Sequence, residues 1–353
     1  MAFDGIVIAN LVKDLNDKIV SGRISKIAQP EKDELLLTIK GNRENFRLLI
    51  SANASLPLLY FTETNKPSPL TAPNFCMLLR KHIANGRIVS VSQPGLERIV
   101  RIEIEHLDEM GDLKRKFLIV ELMGKHSNII FCDENDKIID SIKHISSQVS
   151  SVREVLPGRR YFIPDTQNKL DPLHVTLDAF TLAVSGKPMP LAKAIYTTFT
   201  GISPLIAEEL CHRASLESAR SANSFSENEL LHLFRQFELF MDSVKEHEFT
   251  PCIFTRGSEP VEFSVLPLTM YSDLPETPCE SVSEMLETYY AAKNTITRIR
   301  QKSVDLRKIV QTSLDRERKK YDLQRKQLKD TEKRDKYRVY GELINTYGYG
   351  LEE

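Results

Sequence analysis

The densest run of chemistry-bearing side chains is Glu121-Leu122-Met123-Gly124-Lys125-His126-Ser127-Asn128. It follows an apolar strand and returns directly to Ile129-Ile130-Phe131. A hairpin tip so rich in donors suits phosphate, sugar or base edges. The same residues also fit a tight β-turn with solvated side chains. As a catalytic set the run is poor, because nothing pairs His126 with a nucleophile or an orienting carboxylate.

Two further segments carry chemistry. In Gly95-Leu96-Glu97-Arg98 an acid–arginine pair sits at a strand start, as a functional pair or as a surface ion pair worth little energy. Phe199 to Ala207 fits two helices joined by a small turn, with Gly201 and Ile202 at its tip and Ser203-Pro204 opening the second helix. Such a turn at Gly201, Ile202 and Ser203 either binds a phosphate or is a plain linker, and Arg213 and Arg220 flank it. Arg80, Lys81 and His82 close an apolar helix whose dipole they complement, and Cys76 on it reads as a small core residue.

Many chemistries are excluded. No Walker loop, GxSxG, HExxH or GxGxxG stands in a fitting context. Asp133, Glu134 and Asp136 lack the closing glutamate of a calcium loop, and the eight histidines show no metal-ligand spacing, so neither metal nor cofactor is expected. Five cysteines without a CxxC pair argue against a zinc ribbon or a disulfide framework and suit a reducing cytoplasm. No apolar run approaches the ~20 residues of a membrane span, and the first residues do not read as a secretory signal.

The elements that must position these residues read as α+β. Helices are predicted from Gly5 to Ile19 and from Pro73 to Ile83, the second closed by Asn85-Gly86. Strands are predicted at Arg23–Ala28, Glu34–Lys40, Asn45–Ser51, Arg87–Gln93, Arg98–His106, Lys116–Leu122, Ile129–Cys132 and Ile138–Ile142, with turns at Gln29-Pro30 and Gly41-Asn42. This order points to a sandwich or barrel-like domain with flanking helices. Prolines at 157, 164 and 172 mark a boundary, after which the pattern is helical to about Met241. A hairpin, Cys252–Thr255 with Val261–Leu266, leads to a long helix capped by Ser281 or Ser283.

That last helix is basic and sparsely apolar. Arg298 to Arg338 holds 16 Lys/Arg against seven Asp/Glu, a surplus of nine positive charges in a chain of net charge −1. A basic arm on an acidic body suits a polyanion, although a solvated helix face has the same composition. Ile296, Ile299, Leu306 and Val310 precede Leu314, Tyr321 and Leu328, which are spaced by seven as in a coiled-coil seam that needs a second helix. A bundle-end helix is the alternative.

Taken in order, several of these motifs resemble the NFACT family. They are Phe3-Asp4-Gly5, Gly22-Arg23-Ile24, Phe75 to His82, Gly95 to Arg98, Glu121 to Asn128, Leu156-Pro157-Gly158 and Gly201 to Pro204. The resemblance implies a glycosylase-like NFACT-N domain over residues 1–172, a helix–hairpin–helix domain over 173–245, a hairpin connector over 246–282 and the first arm of a coiled coil over 283–353. Formamidopyrimidine-type glycosylases use an N-terminal proline amine, where this chain has Ala2 and Phe3, so the resemblance implies a nucleic-acid scaffold and not an enzyme. It also implies a cytoplasmic factor of ribosome-associated quality control. Its partners would be the large ribosomal subunit, stalled peptidyl-tRNA and alanine tRNA, recruited for C-terminal alanine tailing. Glu97, Arg98, Glu121, Leu122, Lys125, His126, Ser127 and Asn128 would face tRNA. The family more often has Asp at the first position of the acid–arginine pair. Arg316, Arg318, Lys319, Lys320, Arg325 and Lys326 are the residues expected on rRNA. The runner-up reading is a surface adhesin with fibronectin as partner and a minor cell-surface pool. An active glycosylase or lyase ranks below both.

Overall fold

A computed structural model describes residues 3–41, 44–164 and 168–350, with the side chains of residue 294 and residues 296–305 outside the description. Ala2, Asn42 and the side chains of Ile296 and Ile299, all named above, therefore lie outside the described residues. The described chain forms two compact units, Met1–Ala291 and Ala292–Glu353.

The first unit is built on nine antiparallel strands in the order β4-β3-β2-β1-β5-β6-β7-β8-β9. They are β1 (Arg23–Glu31), β2 (Glu34–Lys40), β3 (Asn45–Ser51), β4 (Leu58–Phe61), β5 (Arg87–Ser92), β6 (Ile99–Leu107), β7 (Leu113–Glu121), β8 (Asn128–Asp133) and β9 (Ile138–Ser141). The expected sandwich or barrel is thus one continuous sheet. Its two halves meet where Arg23 of β1 pairs with Arg87 of β5. They are bound to each other by α1 (Gly5–Ile19), packed on β5 and β6, and α2 (Asn74–Ile83), packed on β1, β6 and β9. α1 has the expected bounds, with Asp4 as its cap, and Asn85 takes the left-handed φ of +63° just past α2 as expected. Pro73 caps α2 without being its first residue, and Gln29-Pro30, expected as a turn, lies within β1.

Alternation explains which face each strand buries. Leu35, Leu37 and Ile39 of β2 and Val100, Ile102 and Ile104 of β6 enter one core with α1 and α2. Ile99, Ile119, Ile130 and Cys132 point the other way, into a second cluster closed by Ile138, Val155 and Tyr161. The run Ile129–Cys132 is continuously apolar because both faces of β8 are covered. The cover is residues 145–163, held by bridges from Lys137 to Arg160 and from Ile145 to Val155.

The helical segment comprises α3 (Leu177–Ser185), α4 (Leu191–Thr198), α5 (Pro204–Arg213) and α6 (Glu227–Lys245). Phe180 lies at its centre, with Phe199, Phe234 and Phe237 rings 5.1–5.3 Å away. Ser226 and Glu229 form a capping box at the start of α6. The predicted hairpin is present as β10 (Cys252–Arg256) and β11 (Glu259–Ser264), and β12 (Glu276–Pro278) joins it as a third strand that the sequence reading missed. Glu209, fully buried on α5, accepts from the backbone N–H groups of Thr269 and Met270 and from Arg213, tying this sheet to the helices. A single hydrophobic cluster runs from Phe3 to Tyr289 through the sheet, the helices and the small sheet.

The last helix, α7, spans Val282–Tyr347. Of its two cap candidates, the Ser281 hydroxyl accepts from the Glu284 N–H, whereas Ser283 reaches across to accept from the Phe61 N–H of β4. Within the second unit Leu314, Tyr321 and Leu328 are exposed, as are Arg316, Arg318, Lys319, Lys320, Arg325 and Lys326.

Candidate functional site

The structure brings the motifs to one end of the β6–β7–β8 ladder. Ile99 pairs with Glu121, and the Leu122 N–H donates to the Arg98 carbonyl at 2.9 Å. Glu121 in turn pairs with Asn128. Glu97-Arg98 and Glu121–Asn128, separate in sequence, are therefore strand neighbours. The turn before Glu97 uses Gly95 at φ +54° and closes with the Glu97 N–H on the Pro94 carbonyl. Gln93 fixes its other side by donating from Nε2 to the carbonyls of Glu97 and Gly5, both at 2.8 Å.

Next to this turn the helical hairpin abuts the start of α1. The Gly5 N–H donates to the Gly201 carbonyl at 3.0 Å. A Cβ on Gly5 would lie 2.1 Å from the Leu96 carbonyl oxygen, and one on Gly201, at φ +75°, would lie 2.2 Å from the same atom. Three backbones meet here at a distance only glycine permits. The Asp4 carboxylate accepts from the Ile6 and Val7 N–H groups with one oxygen and from the Ser203 hydroxyl, at 2.5 Å, with the other. Burial pushes the Asp4 carboxyl up to about 6, against the hydrogen bonds from Ser203, Val7 and Ile6 that pull it down. Asp4 and Ser203 were invisible as a pair in the sequence, being 199 residues apart.

Burial divides the residues expected on tRNA. Glu121 and Leu122 are almost wholly enclosed, at 0% and 1% exposure. The Glu121 carboxylate binds the Arg153 guanidinium with one oxygen and the Tyr161 hydroxyl, at 2.9 Å, with the other. Burial opposes the charge on Arg153, but Glu121 outweighs it and raises the pKa; burial and Glu121 raise that of Tyr161 as well. Glu121 thus holds the cover over the second cluster and has no free oxygen for a base edge. Arg153 and Tyr161 escaped the sequence reading because their segment has no periodicity.

Ser127 and Asn128 also turn inward. The Ser127 hydroxyl accepts from the Met123 N–H, and Asn128 exchanges side-chain hydrogen bonds with the backbone of Lys143. The Lys143 ammonium donates to the Ala52 and Ser127 carbonyls, and burial lowers its pKa. Lys125 and His126 alone of this motif are exposed, on a short 3-10 turn at Gly124–His126. Of the hairpin residues, Ile202 and Ser203 are buried, and the Ser203 hydroxyl is engaged by Asp4.

The exposed and half-buried charges at this end are Glu97, Arg98, Lys125 and His126. Arg98 is half-buried, and among the described residues no side-chain hydrogen bond or ion pair of its guanidinium is recorded. Lys169, which nothing in the sequence singled out, lies within electrostatic reach of Arg98 and of Lys187. Lys169 donates to the Tyr196 carbonyl and Lys187 to the Thr198 hydroxyl. No group of three or more His, Cys, Asp or Glu side chains among the described residues is arranged to hold a metal. Cys132, Cys211 and Cys252 have thiols pushed up to about 12 by burial, far from nucleophilic thiolates.

The family model described as "NFACT N-terminal and middle domains" matches residues 4–353. "Rqc2 homolog RqcH" of Bacillus subtilis is 37% identical over 356 residues, covering 100% of this chain and 60% of that protein. "Archaeal Rqc2 homolog aRqcH" of Methanocaldococcus jannaschii is 26% identical, covering 94% of this chain and 48% of the relative. The chain thus spans about three-fifths or less of the curated relatives named here. Among solved structures, the fibrinogen binding protein from Staphylococcus aureus superposes with a TM-score of 0.69 at 30% identity, over 82% of this chain and 99% of that one. On the whole-length profile match and the 37% relative, this chain belongs to the NFACT family.

Proposed function

We propose that this chain is a non-catalytic RNA-binding part of a ribosome quality-control factor, engaging tRNA and the large ribosomal subunit during alanine tailing of stalled chains. The observation that carries this reading is the match along nearly its whole length to proteins named as Rqc2 homologues, joined by partial matches to subunits of the ribosome quality control complex. The site supports it. The half-buried guanidinium of Arg98 and the exposed Lys125 and His126 sit at one end of the ladder, positioned to grip a phosphate–sugar backbone. Glu97 accompanies Arg98, while Glu121 stiffens the ladder beneath them. The α4–α5 pair acts as the helix–hairpin–helix element, and α7 as the first arm of a coiled coil whose basic surface runs along rRNA. The buried, protonated thiols and the engaged Ser203 hydroxyl offer no activated nucleophile, in keeping with a scaffold whose bond-making is left to the ribosome.

The test is to sequence the RNA that copurifies with the protein from cells carrying stalled ribosomes. Enrichment of alanine tRNA with large-subunit rRNA supports the reading, and Arg98→Ala is expected to lose the tRNA while keeping its fold. Equal retention of tRNA by that variant would rule out the role of Arg98.

A second reading is favoured by the structural neighbours named for fibrinogen and fibronectin binding. It makes the chain an adhesin. A protease-accessible surface pool, with no cosedimentation on large subunits, would select it over the first.

A further inference from the structure

Lys169 and Lys187 come from different loops but both donate to the last turn of α4, one to backbone and one to side-chain hydroxyls. Leu170 pairs with Phe199 in a parallel bridge, its N–H donating to the Thr198 carbonyl and its own carbonyl accepting from the Thr200 N–H. This fixes the chain at Lys169, whose ammonium donates to the Tyr196 carbonyl at 2.9 Å. Lys187 donates to the Thr198 hydroxyl at 2.6 Å, and more distantly to Thr197 at 3.4 Å. The Thr198 hydroxyl gives its own proton to the Ala194 carbonyl, so a lone pair faces Lys187. A few residues further on, the Gly201 turn packs on the Leu96 carbonyl and so brings in Glu97-Arg98.

Among the described residues, the hydrogen-bond acceptors of the two ammonium groups are all neutral. A carbonyl or hydroxyl orients an ammonium without cancelling its charge, and each ammonium has N–H groups to spare. Burial lowers the pKa of Lys169 first, and Arg98 and Lys187 lower it further, while Glu97 raises it. Burial lowers that of Lys187. Lys169 is repelled by both Arg98 and Lys187, with Glu97 as the opposing carboxylate, and an incoming anion relieves that repulsion.

We propose that Lys169, Lys187 and Arg98 form a seat for a backbone phosphodiester of the bound RNA, at the junction of the helical hairpin with the β6 turn. This rests on the tRNA-binding reading and deepens it. Arg98 presents a planar fork and the two lysines point charges, so the seat reads phosphate and not base identity. It also explains why the hairpin turn itself is closed. With Ser203 engaged by Asp4, the hairpin contributes position, and the lysines on its flank contribute charge.

The experiment measures binding of unfractionated tRNA to the whole chain across a KCl series, for wild type, Arg98→Gln, Lys169→Gln, Lys187→Gln, the double lysine variant and Lys187→Arg. Each lysine-to-glutamine change is expected to weaken binding roughly tenfold and to flatten the log–log salt slope by about one. Lys187→Arg should restore both. Thermal midpoints of the glutamine variants should match or exceed wild type, because a repulsion has been removed; a merely structural lysine would lower the midpoint and leave the slope alone. Wild-type affinity and slope in the double variant, with Arg98→Gln still impaired, would overturn the seat but keep the tRNA reading. No tRNA binding by wild type would overturn both.

Discussion

Without the Arg153 guanidinium, the Glu121 carboxylate would stand at 0% exposure with the Tyr161 hydroxyl as its recorded partner. An uncompensated buried charge costs ~3–5 kcal/mol. Arg153→Met is therefore expected to lower stability in chemical denaturation by about that much, and the double variant Glu121→Leu/Arg153→Met to recover most of it. If the single and double variants were equally unstable, the pair would not be the source of the loss. Asp4 gives a prediction in pH. Its folded pKa, about 6, lies above the ordinary value of 3.8. The protonated form is thus favoured by folding, and the associated stability is full below about pH 4 and lost as pH rises through 6. The loss is roughly 3 kcal/mol by the linkage between pKa and stability. Asp4→Asn keeps a cap for α1 and should flatten the stability profile between pH 4 and 7; an unchanged profile would clear Asp4 of that role.

At the scale of elements, the seam is held by backbone. Gly201→Ala would set a methyl group 2.2 Å from the Leu96 carbonyl oxygen at a φ of +75°. No rotamer can relieve a clash with backbone, so the α4–α5 turn must move away from the β6 turn. A loss of at least ~2 kcal/mol is expected, with tRNA binding impaired together with it; a variant of wild-type stability would mean that the seam yields. Gly201 was legible in the sequence as the tip of a helical turn, but not as a neighbour of Leu96, because nothing local encodes a partner about a hundred residues away. The strands show the same limit. Apolar runs bounded by turn residues marked every strand of the large sheet except β4, whose four residues follow Pro57 and are too short to stand out. β12 has three exposed residues and no apolar pattern at all. At the site, Glu97-Arg98 and Lys125-His126 were legible as residue types, whereas the inward turn of Glu121, Ser127 and Asn128 depends on Arg153, Tyr161 and Lys143, which only the folded cover supplies.

For the whole molecule, charge is the property that composition conveyed best. The basic stretch of α7 presents Arg316, Arg318, Lys319 and Lys320 on an exposed helical surface, opposed in part by Asp315, Glu317 and Asp322. Replacing those four cations with glutamine is expected to reduce the salt slope of large-subunit binding by roughly one unit for each phosphate no longer neutralised. It should leave the thermal midpoint of the folded body unchanged, since these side chains are solvated. Cosedimentation over a salt series reads the slope directly, and a slope equal to wild type would count against α7 as the rRNA-contacting surface proposed above.

The bond from the Phe61 N–H to Ser283, with Thr62 donating to Glu287 beside it, has a bearing on synthesis. β4 is an outer strand of the sheet, and these side chains from the first turns of α7 cover part of its open edge. Phe61 and Ser283 lie 222 residues apart. At typical elongation rates the nascent edge stands uncovered for roughly 10–45 s before its cover is made. During that interval an apolar strand with unpaired N–H groups can pair with a neighbour on the same polysome. A chain released at residue 280 is accordingly expected to aggregate, and a charged replacement at exposed Thr64 to leave that tendency intact, because it does not cap the Phe61 N–H. Soluble, monomeric behaviour of the shortened chain would show that the edge needs no cover.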